Sequence, residues 1–328
     1  MCLHARIADR GLTPLGSDCY GSAMPSPTPP LPFSDRLAAA IDRTGTVACV
    51  GIDPVVDRFP PDMRPPNPAD FGASANSIRR FCDGVIDAVR EHVPIVKFQS
   101  ACFERYGEHG IIALRQSIIH AHQAGLLVLL DAKRGDIGVT AEHYAAAVFD
   151  GPASADAVTY SGYLGADTIE PMLRGAGAGK GVFVLVRTSN PGSDAFQSLQ
   201  LADGRSIAEA MADVVHGLGA TRRGACGMAD VGAVVGATKS AEAAALRKRM
   251  PETMFLIPGY GAQGGTIEDI RPALRPGANT SSPATMGVLV TASRSVIFPQ
   301  LPKDAASANW RLAVGAAAKL LVSELRTL

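Results

Sequence analysis

Eight short apolar runs recur along the chain, and none of them alternates polar with apolar residues. They are Val47–Pro54, Pro94–Gln99, Leu126–Lys133, Ala157–Tyr163, Gly181–Ser189, Gly232–Thr238, Met254–Gly261 and Gly287–Ser295. A strand that is apolar throughout has both faces buried, as strands of parallel sheets do. The segments between them carry a helical period instead. Ile78, Phe81, Val85, Ile86 and Val89 share one helix face, and Ile207, Met211, Val214, Val215 and Leu218 share another. A similar stripe runs from Trp310 to Leu325. Eight strand–helix repeats over roughly 250 residues predict a (β/α)8 TIM barrel of the α/β class, as a single domain over residues 33–328. A doubly wound sheet is the alternative.

Residues 1–32 break this rhythm. Gly21–Pro32 is rich in Pro and Ser, so an extended or disordered N-terminal extension is expected, and Met24 is an alternative start. Arg275–Met286 reads as a loop inserted before the last strand.

In a barrel of this kind, sites form where the strands end. Asp53 ends the first run, Lys97 and Gln99 the second, and Asp131, Lys133 and Asp136 the third. Thr188, Ser189 and Asn190 end the fifth, Gly259–Gly265 with Gln263 follow the seventh, and Arg294 ends the eighth. The opposite ends of the strands show no such set, and that asymmetry is the strongest signal in the chain. Taken singly, each residue also has a plainer reading. Asp53 before Pro54 caps a turn equally well, Lys97 can be a solvated rim lysine, and the third-strand charges can be a structural ion-pair network. Alternation places Asp131 and Lys133 on one face, where an acid holds a proton on the lysine and keeps it aimed.

The Pro258–Gly265 segment has four glycines and leads into a predicted helix at Thr266–Ile270. Backbone amides at a helix N-terminus cradle an anion, and Arg294 can grip a phosphate in bidentate fashion. A phosphorylated ligand at the last two strands is therefore expected, facing a Lys/Asp array at the first three. The histidines at 109, 120, 122 and 143 lie on predicted helices and read as surface or packing residues.

Composition removes several classes of function. The 31 basic and 31 acidic side chains balance, which argues against nucleic-acid or anionic-membrane binding through a positive field. No apolar run approaches the ~20 residues of a membrane span, and the N-terminus lacks the apolar core of a signal peptide. The six cysteines form no metal-binding spacing and are expected to be free thiols in a reducing, cytoplasmic setting.

The segment "DAKRGDIGVTAEHYA" (131–145) resembles the signature of the orotidine 5′-phosphate decarboxylase family, in its longer bacterial-type (type 2) subfamily. The resemblance extends in consistent order through "CVGIDP", "VKFQSACFERYG", "AVTYSGYLGADTIEP", "GVFVLVRTSNPGS", "GAVVGAT", "PGYGAQGG" and "ASRS", covering about residues 33–325. It implies a (β/α)8 barrel that converts orotidine 5′-phosphate into UMP and CO2 without metal or cofactor. It also implies roles. Lys133 is the proton donor to C6, Asp131 lies beside the departing carboxylate, and Lys97 completes the array and contacts the ribose. Asp53 binds a ribose hydroxyl and Ser189 the pyrimidine edge. Gln263 and Arg294 hold the phosphate, with Pro258 in the same binding segment. Asp136, with Thr140 nearby, reaches across a homodimer interface into the neighbour's site. Four residues at three places depart from the family pattern: Phe98 where Pro is expected, Ser161-Gly162 for Asn-Pro, and Thr291 for Asn. Two other readings stay open, a non-catalytic nucleotide-binding barrel and a Schiff-base aldolase using Lys97 or Lys133.

Overall fold

The computed structural model describes residues 30–176, 179–279, 281–301 and 306–328. Nearly all of the predicted N-terminal extension therefore lies outside the described residues, as do Cys2 and Cys19. Cys49, Cys82, Cys102 and Cys226 are free thiols.

The eight runs form β1 (Ala48–Ile52), β2 (Ile95–Gln99), β3 (Leu127–Arg134), β4 (Ala157–Tyr160), β5 (Gly181–Arg187), β6 (Val231–Val235), β7 (Phe255–Ile257) and β8 (Val288–Ala292). They pair in parallel in sequence order and close β8 onto β1. Every residue of β1, β6 and β8 is buried, as two covered faces require. The doubly wound alternative is excluded by that closure.

The helix Phe71–Val89 follows the expected stripe, with Ile78, Phe81, Val85, Ile86 and Val89 fully buried. Each such side chain contributes roughly 1.5–3 kcal/mol by leaving water. Asp70 caps its start by accepting the Ala73 N–H at 3.0 Å. The last helix, Ser307–Leu325, packs Trp310 on Phe81 and ties the indole N–H to the Ile297 carbonyl.

The helix Ile207–Gly219 differs from the expected stripe. Its innermost line is Ala208, Ala212, Val215 and Gly219, while Ile207, Met211, Val214 and Leu218 sit at its margin. Small residues let the helix lie close to the barrel, and the larger ones fill the grooves beside it.

An additional helix, Phe33–Thr44, closes the end of the barrel where the strands begin. Its Phe33 ring fills the space where Gly181 lacks a side chain and meets Phe183 edge-on. Here the expectation that the opposite ends of the strands carry no such set of polar residues is corrected. Asp156, just before β4, is buried and accepts from Arg36 (2.6 Å), His122 (2.9 Å) and the Val128 N–H (2.8 Å). His122 is thus more than a surface residue. Asp230, before β6, accepts the Ser34 N–H and hydroxyl at 2.8 and 2.7 Å. Arg247 is buried against the Phe255 ring and donates to four backbone carbonyls. The inserted segment before β8 also lies at this end, where Ser282 and Ala284 bond Asp42 of the closing helix.

Candidate active site

At the opposite end, the strand termini enclose a cavity of about 530 Å³. Its walls include Asp53, Lys97, Asp131, Lys133, Ser189, Pro258 and Gln263. With Gln99, Thr188 and Asn190, which line it too, ten of the residues singled out in the sequence are thus brought together by barrel closure.

Asp131 is the centre of the array. Its Oδ2 accepts from Lys97 Nζ at 2.8 Å and Gln99 Nε2 at 3.2 Å. Its Oδ1 accepts from Lys133 Nζ at 2.6 Å and the Thr159 hydroxyl at 2.8 Å. Burial by itself would raise its pKa, but the Lys97 and Lys133 ammonium groups outweigh that and hold the carboxyl below the usual carboxylate range. Lys97 is the mirror case. Burial pulls it down, while Asp53, at 3.7 Å, and Asp131 push it above the ordinary lysine range. A lysine so held is protonated at neutral pH and is a poor nucleophile, which counts against a Schiff-base role for Lys97. Beneath the array, burial raises the Cys49 thiol to about 12, so it stays neutral.

Asp131 and Lys133 do meet, but not through simple alternation. β3 is irregular between Leu130 and Arg134. Lys133 has φ 45°, and it is the one non-glycine residue in the left-handed region among the described residues. This bulge turns the lysine back onto the aspartate two positions before it. Arg134, next in the chain, points away from the cavity. It pairs with Glu104 and lies over the Tyr144 ring.

Three of the expected residues stand outside the cavity wall. Asp136 follows β3, with its N–H donated to the fully buried Tyr160 hydroxyl at 3.0 Å and its carboxylate accepting the Ile137 N–H. Thr140 is exposed in the first turn of the helix Gly138–Phe149. Arg294 is exposed, its guanidinium 3.4 Å from the Ala262 carbonyl. It therefore borders the glycine loop that carries Gln263.

The anion cradle expected at a helix N-terminus is not what the loop offers. The helix after it spans only Ile267–Ile270, and Asp269 and Thr266 close its start in a capping box. Gly259, Gly261 and Gly264 instead adopt positive φ, turning the loop tightly enough to bring Gln263 into the cavity.

Sequence reasoning missed Thr159, Gln197 and Ser293, which also line the cavity. Gln197 lies beyond β5, and its amide oxygen accepts the Thr188 N–H at 2.8 Å. Arg187, wholly buried, holds that segment through Glu242, Asp194 and Ser193. Gly51 leaves room for Ser293, since a β-carbon there would lie 1.9 Å from its hydroxyl. At the Gly162 departure, the flexible Met211 side chain places its Sδ 2.9 Å from where a β-carbon would sit. A proline at that position would require Met211 to move.

The family model described as "Orotidine 5'-phosphate decarboxylase / HUMPS family" matches residues 49–308. Among curated proteins, the orotidine 5′-phosphate decarboxylase of Rhodopirellula baltica is 40% identical over 306 residues, which is 90% of this chain and 99% of that protein. That of Ralstonia pickettii is 38% identical over 282 residues, covering 86% and 95%. Among solved structures, Leishmania donovani OMP decarboxylase superposes with a TM-score of 0.67 at 31% identity, covering 90% of this chain and 98% of that one.

Proposed function

The chain belongs to the orotidine 5′-phosphate decarboxylase family, whose reaction converts orotidine 5′-phosphate into UMP and CO2 in pyrimidine biosynthesis, and from this premise we propose that Lys133 delivers the proton to C6. The chain is accordingly a carboxy-lyase. The observation that carries the assignment is the Lys97–Asp131–Lys133 array lining the cavity.

The chemistry follows from that array. The bond between C6 and the carboxyl carbon breaks, CO2 departs, and the electron pair stays on C6. An ammonium at that carbon stabilises the developing charge, and its proton then forms the C–H bond. Asp131, fixed by four donors, aims Lys133 and lies beside the departing carboxylate. Lys97 and Asp53 hold the ribose, Ser189 meets the pyrimidine edge, and Pro258, Gln263 and Arg294 serve the phosphate end. Phosphate binding is remote from the reacting bond, yet its energy organises the closed site.

We assign Asp136 and Thr140 to a neighbouring subunit's site in a homodimer. Both stand outside the cavity of their own chain. The segments after β3, β4 and β5 also expose apolar side chains: Ile137 at 61%, Val139 at 64% and Tyr163 at 72%, with Leu164 and Phe196 alongside. Apolar groups gathered on adjacent segments suit a second copy. A cytoplasmic location is consistent with the metabolic role. Among the described residues, no helix is long and apolar enough to cross a membrane.

Loss of orotidine 5′-phosphate absorbance with the purified protein is the decisive assay. Absence of turnover with tight UMP binding retained would mean a nucleotide-binding barrel instead. Mixing Asp136→Ala with Lys133→Ala protein is expected to restore activity through mixed dimers. No recovery despite demonstrated subunit exchange would rule out the shared site.

A further inference from the structure

β3 and β4 are in register at Leu130 with Val158 and again at Arg134 with Tyr160. Between these pairs, β3 contributes Asp131, Ala132 and Lys133, while β4 contributes Thr159 alone. One residue therefore faces three, and the bulge takes the Lys133 N–H away from the regular ladder. That N–H is instead donated to the Thr159 hydroxyl oxygen at 3.0 Å. Thr159 is 1% exposed and lines the cavity. Its single proton goes to Asp131 Oδ1, at 2.8 Å.

We infer that Thr159 is a positioning residue for the proton donor, holding the bulged backbone of Lys133 and the carboxylate of Asp131 through one hydroxyl. This rests on the decarboxylase reading above. The directionality is forced. A carboxylate only accepts and a backbone N–H only donates, so a group between them must do both. A hydroxyl does; a methyl of the same shape does neither. Lys133 occupies a left-handed conformation that costs free energy for a residue with a side chain. The hydrogen bond from its N–H is one of the contacts that offset this cost. Loss of the hydroxyl frees the bulge to relax and leaves Asp131 with one donor fewer, so the ammonium of Lys133 is no longer held to one place. Thr159 touches the carboxylate and the backbone of the donor, so its effect on the reaction runs through them.

Thr159→Val keeps the shape and removes the hydroxyl, and Thr159→Ser keeps the hydroxyl. The Val variant should lose kcat by on the order of 10- to 100-fold, the scale of a small misplacement of reacting groups. KM and UMP affinity should stay within about threefold, because binding contacts shared by ground and transition states are untouched. The Ser variant should recover most of the loss. Amide hydrogen exchange at Lys133, which reads the bond without any turnover, should quicken in the Val variant and stay near wild type in the Ser variant. Wild-type kcat in the Val variant overturns the inference, as does unchanged exchange at Lys133. So does a joint fall of kcat, UMP affinity and melting temperature that Ser fails to rescue, since that is a packing effect. An inactive wild-type protein sinks the decarboxylase reading itself, and the positioning role with it; an active wild type confines any failure to Thr159.

Discussion

Asp131 and Asp156 are both buried aspartates gripped by pairs of basic side chains, one at each end of the barrel. Asp131 holds Lys97 and Lys133; Asp156 holds Arg36 and His122. Both carboxyls stay below their ordinary value, because basic partners outweigh the cost of burial. The difference lies in what faces them. The floor cluster is covered by the closing helix and spends its donors on joining that helix to β4. At the mouth, Lys133 has a side chain 47% exposed and faces the cavity, so it remains available to a ligand. Buried charge by itself does not mark a site; buried charge beside open space does.

Several substitutions can break this contrast. The largest effect is expected for Lys133→Ala, which should lower kcat by at least about a thousandfold with UMP affinity largely retained. Steady-state turnover with parallel UMP titration reads both quantities, and wild-type-like turnover would refute the assignment.

The second comparison sets Asp131→Asn against Asp156→Asn. The first should cost more than about 100-fold in kcat, since it releases the group that aims Lys133. The second should leave turnover near wild type at low temperature and cost about 3 kcal/mol in urea unfolding, as breaking one partner of a buried pair does. If the floor variant loses turnover without losing stability, the division of labour between the two ends is wrong.

For the phosphate end, Arg294→Ala should weaken UMP by roughly 10- to 100-fold and leave uridine nearly unchanged, because a charged hydrogen bond contributes about 1.5–3 kcal/mol. Equal losses for both ligands, measured by calorimetry, remove the phosphate role.

The smallest effect concerns acid. Burial raises the Asp156 carboxyl, but hydrogen bonds from His122 and Arg36 bring it down to about 2. With the folded value depressed, the unfolded chain takes up the proton first. The resulting stability, about 2 kcal/mol, is fully present above about pH 4 and is lost as pH falls toward about 2. Melting curves across that window should fall less steeply for Asp156→Asn than for wild type. Parallel slopes would deny Asp156 this contribution.

Much of the mouth was legible before any coordinates. Lys97 and Asp53 stand at the ends of apolar runs, and a charge at such a place needs a partner or a ligand. Thr159 was not legible, because a threonine within "AVTY" looks like any strand residue. Its importance comes from lying opposite an irregular stretch of another strand. Gln197 was hidden likewise, since it enters the cavity from beyond β5 on a segment anchored by Arg187. The floor was misread for a related reason: Asp156 and Asp230 stand just before strands, where acids commonly serve as loop residues, and the helix that buries them is distant in sequence.

The sequence by itself determined the eight parallel strands and the charged residues delivered at their ends, because hydrophobic period and strand length are local properties. The tertiary structure alone decided which of those charges meet, that β3 bulges to turn Lys133 back onto Asp131, and that one end is sealed while the other stays open. These depend on the register between neighbouring strands and on closure of the barrel, and both are set by packing between residues far apart in the chain.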